Sequence, residues 1–214
     1  MPVTDSYADA ATYRAVIDKS DTGEDAEILL DLTAVSRFME KSLGRHFTRD
    51  AAGVARDFYA PSSGPIYPDA ENPWKYARGS RDLYIDDLSA APSSVLVDEN
   101  GDGTPETAYT TYELLPLNAA AGPEPAPYTH MRIPVWANRL AWPNGRLVRI
   151  TGQWGWPAVP EAIRRACIHL TAILRLETPR SQATVSEIGQ LVQMSPEAAG
   201  IVYNLQRHYG KVAL

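Results

Sequence analysis

Six consecutive residues, Asp98-Glu99-Asn100-Gly101-Asp102-Gly103, match the opening of a calcium-binding loop, D-x-[DN]-x-[DN]-G. Asp98, Asn100 and Asp102 would offer three oxygens to a hard cation, with Gly103 at the sharp turn. The twelfth position, where such a loop places a bidentate Glu, is Tyr109. The flanks read as strands rather than helices, and Asn-Gly and Asp-Gly between β runs are strong hairpin signals. We read a plain β-turn here and keep a weak calcium site as the alternative. Other chemistry is sparse. His46, His130, His169 and His208 are scattered without metal spacing, and no G-x-S-x-G elbow occurs. The only cysteine, Cys167, lies on an apolar helical stripe, so it is expected to pack as a small hydrophobe with no disulfide. No acid/base pair or nucleophile constellation emerges, so no enzyme activity, metal or cofactor is expected.

The aromatic residues are the second group that could carry function. Trp136, Trp142, Trp154 and Trp156 cluster with Tyr128 late in the chain, and Tyr203 and Tyr209 stand near its end. Trp and Tyr fill cores and are enriched in protein–protein interfaces, so these six Trp and Tyr positions (the Trp cluster, Tyr203 and Tyr209) are candidates for subunit or partner contact. Exposed aromatic plates also hold flat ligands such as sugars. A small β-rich module binding carbohydrate or calcium is therefore the alternative reading.

The elements that must position these residues are α+β in class: about four helices in a small bundle, with an inserted antiparallel β portion and long loops. Helices are predicted over 7–17, with Asp5 or Ser6 as N-cap, and over 24–43, with Asp21 as cap. In the second, Ile28, Leu32, Val35, Met39 and Leu43 repeat at steps of four and three, and Gly44 suits a left-handed exit. A third helix is predicted over 160–176, with Ile163, Ala166 or Cys167, Leu170 and Leu174 inward and Arg164, Arg165, Thr171 and Arg175 facing away. A polar segment, 180–194, follows. Ser195 and Pro196 then open a last helix that reaches Tyr209. Between Val54 and Gly155, candidate strands cover 55–59, 82–85, 94–98, 110–115, 131–134 and 147–152, with long loops over 60–81 and 116–129. The expected domains are a core over 1–178 (three helices plus the β insertion 54–155) and a C-terminal extension over 179–214.

Composition bounds the function. The 214 residues carry a net charge of -6. No Lys/Arg cluster denser than Arg164-Arg165 appears, which argues against sequence-specific DNA binding. An acidic protein that surrounds DNA without holding it remains compatible with that charge. The N-terminus lacks the basic and apolar regions of a signal peptide, and no apolar run is long enough to span a bilayer, so no membrane partner is expected.

The order of several short motifs carries a resemblance. Gly44, Arg45 and Phe47 leave the long helix. Val95, Val97, Asp98 and Gly101 to Gly103 form a V-x-V-D-x-x-G-D-G turn. Tyr112, Leu114, Pro116 and Asn118 follow as Y-x-L-x-P-x-N. Val148, Ile150, Thr151, Gly152, Gly155, Val159, Pro160 and Ile163 make the strand-to-helix junction. In this order the chain, from about Tyr7 to Leu176, resembles the head–tail connector (adaptor, or head completion) proteins of long-tailed bacteriophages. The resemblance implies a virion protein at the head–tail interface, made in the host bacterial cytoplasm, with no catalytic step. It implies a ring, dodecameric in that family, that joins the portal to a tail-side stopper or tail terminator protein and continues the DNA channel. The residues after Pro179 match no part of that pattern.

Overall fold

The computed structural model describes residues 6–62, 66–68, 76–78, 80–139, 141–177 and 184–210. The chain forms two compact units: a helical one from Met1–Thr48 and Val159–Leu214, and a β one from Arg49–Ala158.

The helical unit holds α1 (Ala10–Val16), α2 (Asp25–Leu43), α3 (Glu161–Glu177), α4 (Val185–Met194) and α5 (Pro196–Tyr209). On α2 the predicted stripe of Ile28, Leu32, Val35, Met39 and Leu43 is buried throughout, and Gly44 closes the helix at φ 63°. The caps differ from expectation. Asp9 rather than Asp5 or Ser6 caps α1, accepting from the Thr12 N–H at 2.7 Å. Asp21 turns back on the Gly23 N–H at 2.8 Å, and no side chain caps α2. On α3, Thr171 and Arg175 do not face away. Thr171 is buried, its hydroxyl donating to the Cys167 carbonyl at 2.8 Å. Arg175 bridges Asp31 at 2.7 Å and Glu24 at 2.6 Å. Asp31 is only 4% exposed, and that pairing is what makes its burial on the apolar side of α2 tolerable.

A fifth helix, α4, occupies part of the segment read as polar. Thr184 and Glu187 cap it reciprocally, the T-x-x-E pattern of a capping box. Its only buried side chain is Ile188, although Val185, Ile188, Leu191 and Val192 repeat at helical spacing, a signal the sequence reading passed over. Packing against α5 and α2 holds it in place, while Ser195 and Pro196 open α5 as predicted.

In the β unit, β1 (Val54–Tyr59), β9 (Leu147–Gly152), β5 (Ser94–Val97) and β6 (Thr107–Ala108) form one antiparallel sheet in that order. A second sheet runs β4 (Asp82–Leu88), β8 (Tyr128–Arg132) and β7 (Glu113–Leu115). The short strands β2 (Ile66–Pro68) and β3 (Tyr76–Arg78) pair only with each other among the described residues. The registers put Phe58 opposite Val148 and Val95 opposite Ile150. Both sheets feed one core: Leu83 and Met131 from the second meet Val97, Val148 and Ile150 from the first. The outward face of β1 and β9 is held by Asp57 and Arg149, cross-strand partners in a two-pronged ion pair at 2.7 and 2.8 Å. The predicted strand 110–115 shrinks to β7, which leaves Thr110 and Thr111 between strands, and β8 starts three residues before Met131. The loop 116–129 is organised by turns from Pro116 to Ala119 and from Asn118 to Ala121, after a cis Leu115–Pro116 bond. Half of the loop predicted over 60–81 lies outside the described residues, and the described half holds β2 and β3, which the sequence reading did not place.

Candidate interaction surface

The acidic turn follows β5, and its geometry is set by Asp98. This carboxylate is 3% exposed and accepts from the Gly101 N–H at 2.6 Å and the Gly103 N–H at 2.9 Å. Both glycines have positive φ, 83° and 88°, where a side chain would be strained. Asn100 accepts from the Asp102 N–H at 3.1 Å, and Asp102 accepts from the Thr104 N–H at 2.7 Å. The three oxygens that a cation would need thus point at main-chain amides. Those amides put partial positive charge where the cation would sit. No group of three His, Cys, Asp or Glu side chains disposed to hold a metal exists among the described residues.

Beside this turn the chain builds a cleft of about 320 Å³, lined by Tyr109, Thr110, Thr111, Trp136, Asn138 and Arg139 among others. Its floor is rigid. The Tyr109 ring stacks on Trp142 at 5.6 Å, and the Arg139 guanidinium lies 4.1 Å over the Tyr109 ring. The Tyr109 hydroxyl donates to Glu99 at 2.8 Å, and Arg139 pairs with Glu99 as well. Burial raises the Tyr109 phenol well above its ordinary value, and the Glu99 carboxylate adds to the shift. Burial also acts to raise Glu99, but its bonds to Tyr109 and Arg139 outweigh that and hold it below the usual carboxylate range. Trp136 gives the lining an exposed apolar plate. A turn closed by the Ala137 N–H on the Pro134 carbonyl presents Val135 and Trp136, 79% and 75% exposed. Thr110 and Thr111 also line the cleft, and neither has a main-chain to main-chain hydrogen bond among the described residues.

The candidate aromatic positions fall into two groups. Trp142 and Trp154 are fully buried in the β core, and Trp156 is nearly so. The Trp154 indole donates to the Val54 carbonyl at 2.7 Å and packs against Phe58, with Arg56 over its ring; Trp156 donates to Asp87 at 3.2 Å. These three work inside the unit. Trp136 stands in the open, and so does Tyr203 on α5, at 64% exposed. Tyr209 is half-buried and sits edge-on to Phe47 at 5.9 Å. Sequence reasoning singled out Trp136 but missed Arg139, Thr110 and Thr111. Only the order Pro134-Val135-Trp136, an apolar pair placed at a turn, hinted at the rim.

The remaining titratable groups serve structure. Cys167 is buried between Ser36 and the Leu32 carbonyl, and burial pushes its thiol up to about 11. His46 sits between Glu40 at 2.8 Å and Thr48 at 2.6 Å. Burial lowers His130, whose ring lies 5.3 Å from Tyr84, and His169 and His208 are exposed. Glu40 also accepts from Tyr7 and Arg37, tying the N-terminal segment to α2. Among the described residues no helix is long and apolar enough to cross a membrane.

No family model matches the chain, and no curated protein is significantly similar to it. Its fold does occur in solved assemblies. A chain from the neck of an empty gene transfer agent particle, computed with C6 symmetry, is 20% identical and superposes with a TM-score of 0.52. That likeness covers 100% of this chain and 93% of that one. A chain from the virion of a native gene transfer agent particle is 18% identical, with a TM-score of 0.50 and the same two coverages. The chain shares their fold from end to end, C-terminal helices included.

Proposed function

We propose that this protein is a structural subunit of the neck of a phage-like particle. In this reading it is an adaptor that forms a ring, joins the portal of the capsid to a tail-side stopper or terminator protein, and continues the DNA channel. The observation that carries the reading is the fold shared over the full length of the chain with a chain from a particle neck. The ordered motifs between Gly44 and Ile163 support it, because they resemble the connector family independently of any superposition. A ring of twelve, two copies for each sixfold repeat, is compatible with a neck computed with C6 symmetry. The net charge of -6 suits a channel wall along which DNA slides without sequence-specific binding. A structural role also accords with Cys167, buried with its thiol raised, and with Asp98, committed to its own turn. Portal binding is tested by mixing the purified chain with the portal protein of the same particle. Negative-stain images showing an added ring beneath the portal are expected; portal left bare at saturating chain contradicts the adaptor role.

A further inference from the structure

The cleft beside the acidic turn has no part in holding the fold together, and the groups that line it describe what fits there. Trp136 stands in the lining 75% exposed, whereas Trp is on average a highly buried residue. The Thr110 and Thr111 hydroxyls and the Asn138 amide line it too, and none of them makes a hydrogen bond with the described residues. One apolar face and three unclaimed polar side chains therefore share a space of about 320 Å³, at the small end of the range for small-molecule sites. Tyr109, in the same lining, is fixed in place. Arg139 donates to its hydroxyl at 2.8 Å and lies over its ring, which stacks on Trp142.

Charge narrows the ligand. Arg139 is the one charged side chain lining the cleft among the described residues, and it pairs with Glu99, so a phosphate or carboxylate finds no unmatched cation there. The same guanidinium covers the Tyr109 face, which leaves a single open ring, too few for an aromatic cage around a cation. A neutral, polyhydroxylated ligand suits what remains. The C–H face of a pyranose ring packs on an exposed indole. Its hydroxyls donate and accept, and so do the threonine hydroxyls and the asparagine amide. We infer that this cleft binds a neutral saccharide of one or two rings, stacked on Trp136 and held by Thr110, Thr111 and Asn138. The site lies wholly within the β unit and does not depend on the ring reading.

The test titrates the full chain with maltose, cellobiose, lactose and N,N′-diacetylchitobiose, and with glucuronic acid as the anionic comparison. Binding is read by saturation-transfer NMR on the sugar and by Trp fluorescence. A dissociation constant on the order of 1 mM is expected for at least one neutral sugar, the scale for so small a ligand, with no signal from glucuronic acid. Trp136→Ala is expected to weaken that binding by about tenfold, the scale of losing one stacked ring, and Thr111→Val by about threefold, the scale of one hydrogen bond. Trp136 is exposed and makes no hydrogen bond among the described residues, so an unchanged melting temperature separates lost binding from lost fold. Tyr203→Ala, which removes an exposed ring from the helical unit, is expected to leave sugar binding as it was. Silence from all four neutral sugars overturns the inference, and so does equal binding by Trp136→Ala. Glucuronic acid binding as tightly as the neutral sugars overturns the assignment of a neutral ligand. Self-association lost in Trp136→Ala, with no sugar bound by the wild type, makes the cleft a subunit contact instead and leaves the ring reading standing.

Discussion

At the scale of single residues, two carboxylates do opposite things to the pH and metal response. Asp98 commits its two oxygens to the Gly101 and Gly103 amides. Asp98→Ala strands both donors in a nearly buried turn and is expected to cost about 1–3 kcal/mol, read by urea denaturation. Millimolar calcium is expected to leave the melting temperature of the wild-type protein unchanged, because its oxygens are already occupied; a rise in melting temperature would count against that geometry. Glu40 is the second case. Burial acts to raise it, yet the bonds from His46, Tyr7 and Arg37 outweigh burial and leave it below the usual carboxylate range. A carboxylate lowered in the folded state stabilises the fold above its unfolded value of about 4.3 and loses that contribution as pH falls through the folded value. Glu40→Gln is therefore expected to flatten the loss of stability on acidification below about pH 4.3, measured by thermal melts across the acid range. The residue pattern D-x-N-x-D-G was visible from the start, but its meaning was not. The sequence motif is shared by cation loops and by turns that bind their own amides, and only the direction of each oxygen separates them.

At the scale of elements, the longest helix was the most legible part of the chain, because five apolar side chains at helical spacing all find the same core. Leu32→Ala on that stripe is expected to cost about 2–5 kcal/mol, the cost of an unfilled cavity, seen as a lowered denaturation midpoint. The misread elements have physical explanations too. Arg175 and Thr171 look solvent-facing by type, but Asp31 on α2 draws the first inward and the Cys167 carbonyl satisfies the second. Helix α4 is ten residues long with one buried side chain, Ile188, so its stability leans on its ends. Thr184→Ala, which breaks the capping box, is expected to cost about 0.5–2 kcal/mol. Hydrogen exchange is the suited measurement, with protection lost in α4 ahead of α2 and α3. The longer strands were located within a few residues by alternation and turn signals, whereas β2 and β3, three residues each, lie in a segment read as loop. β6 is two residues long and was invisible, because a strand that short carries no period.

At the scale of the whole molecule, the candidate contact positions have separated by burial. Trp142 and Trp154 hold the β core, while Trp136 and Tyr203 remain open to a partner. No spacing rule in the sequence distinguishes a Trp that stacks on Tyr109 from one that crowns an exposed turn six residues earlier. The resemblance to connectors rested on motif order rather than on any site. The likeness to a neck chain reaches beyond it, through the helices after Pro179 that those motifs did not cover. The central claim is assembly into a closed ring, and the mass of the assembled species tests it most directly. Mass photometry of the purified chain, alone and with its portal, is expected to show a discrete species of about 280 kDa for a ring of twelve, against 23.5 kDa for one chain. A single peak at the monomer mass under both conditions, at every concentration tried, would contradict it.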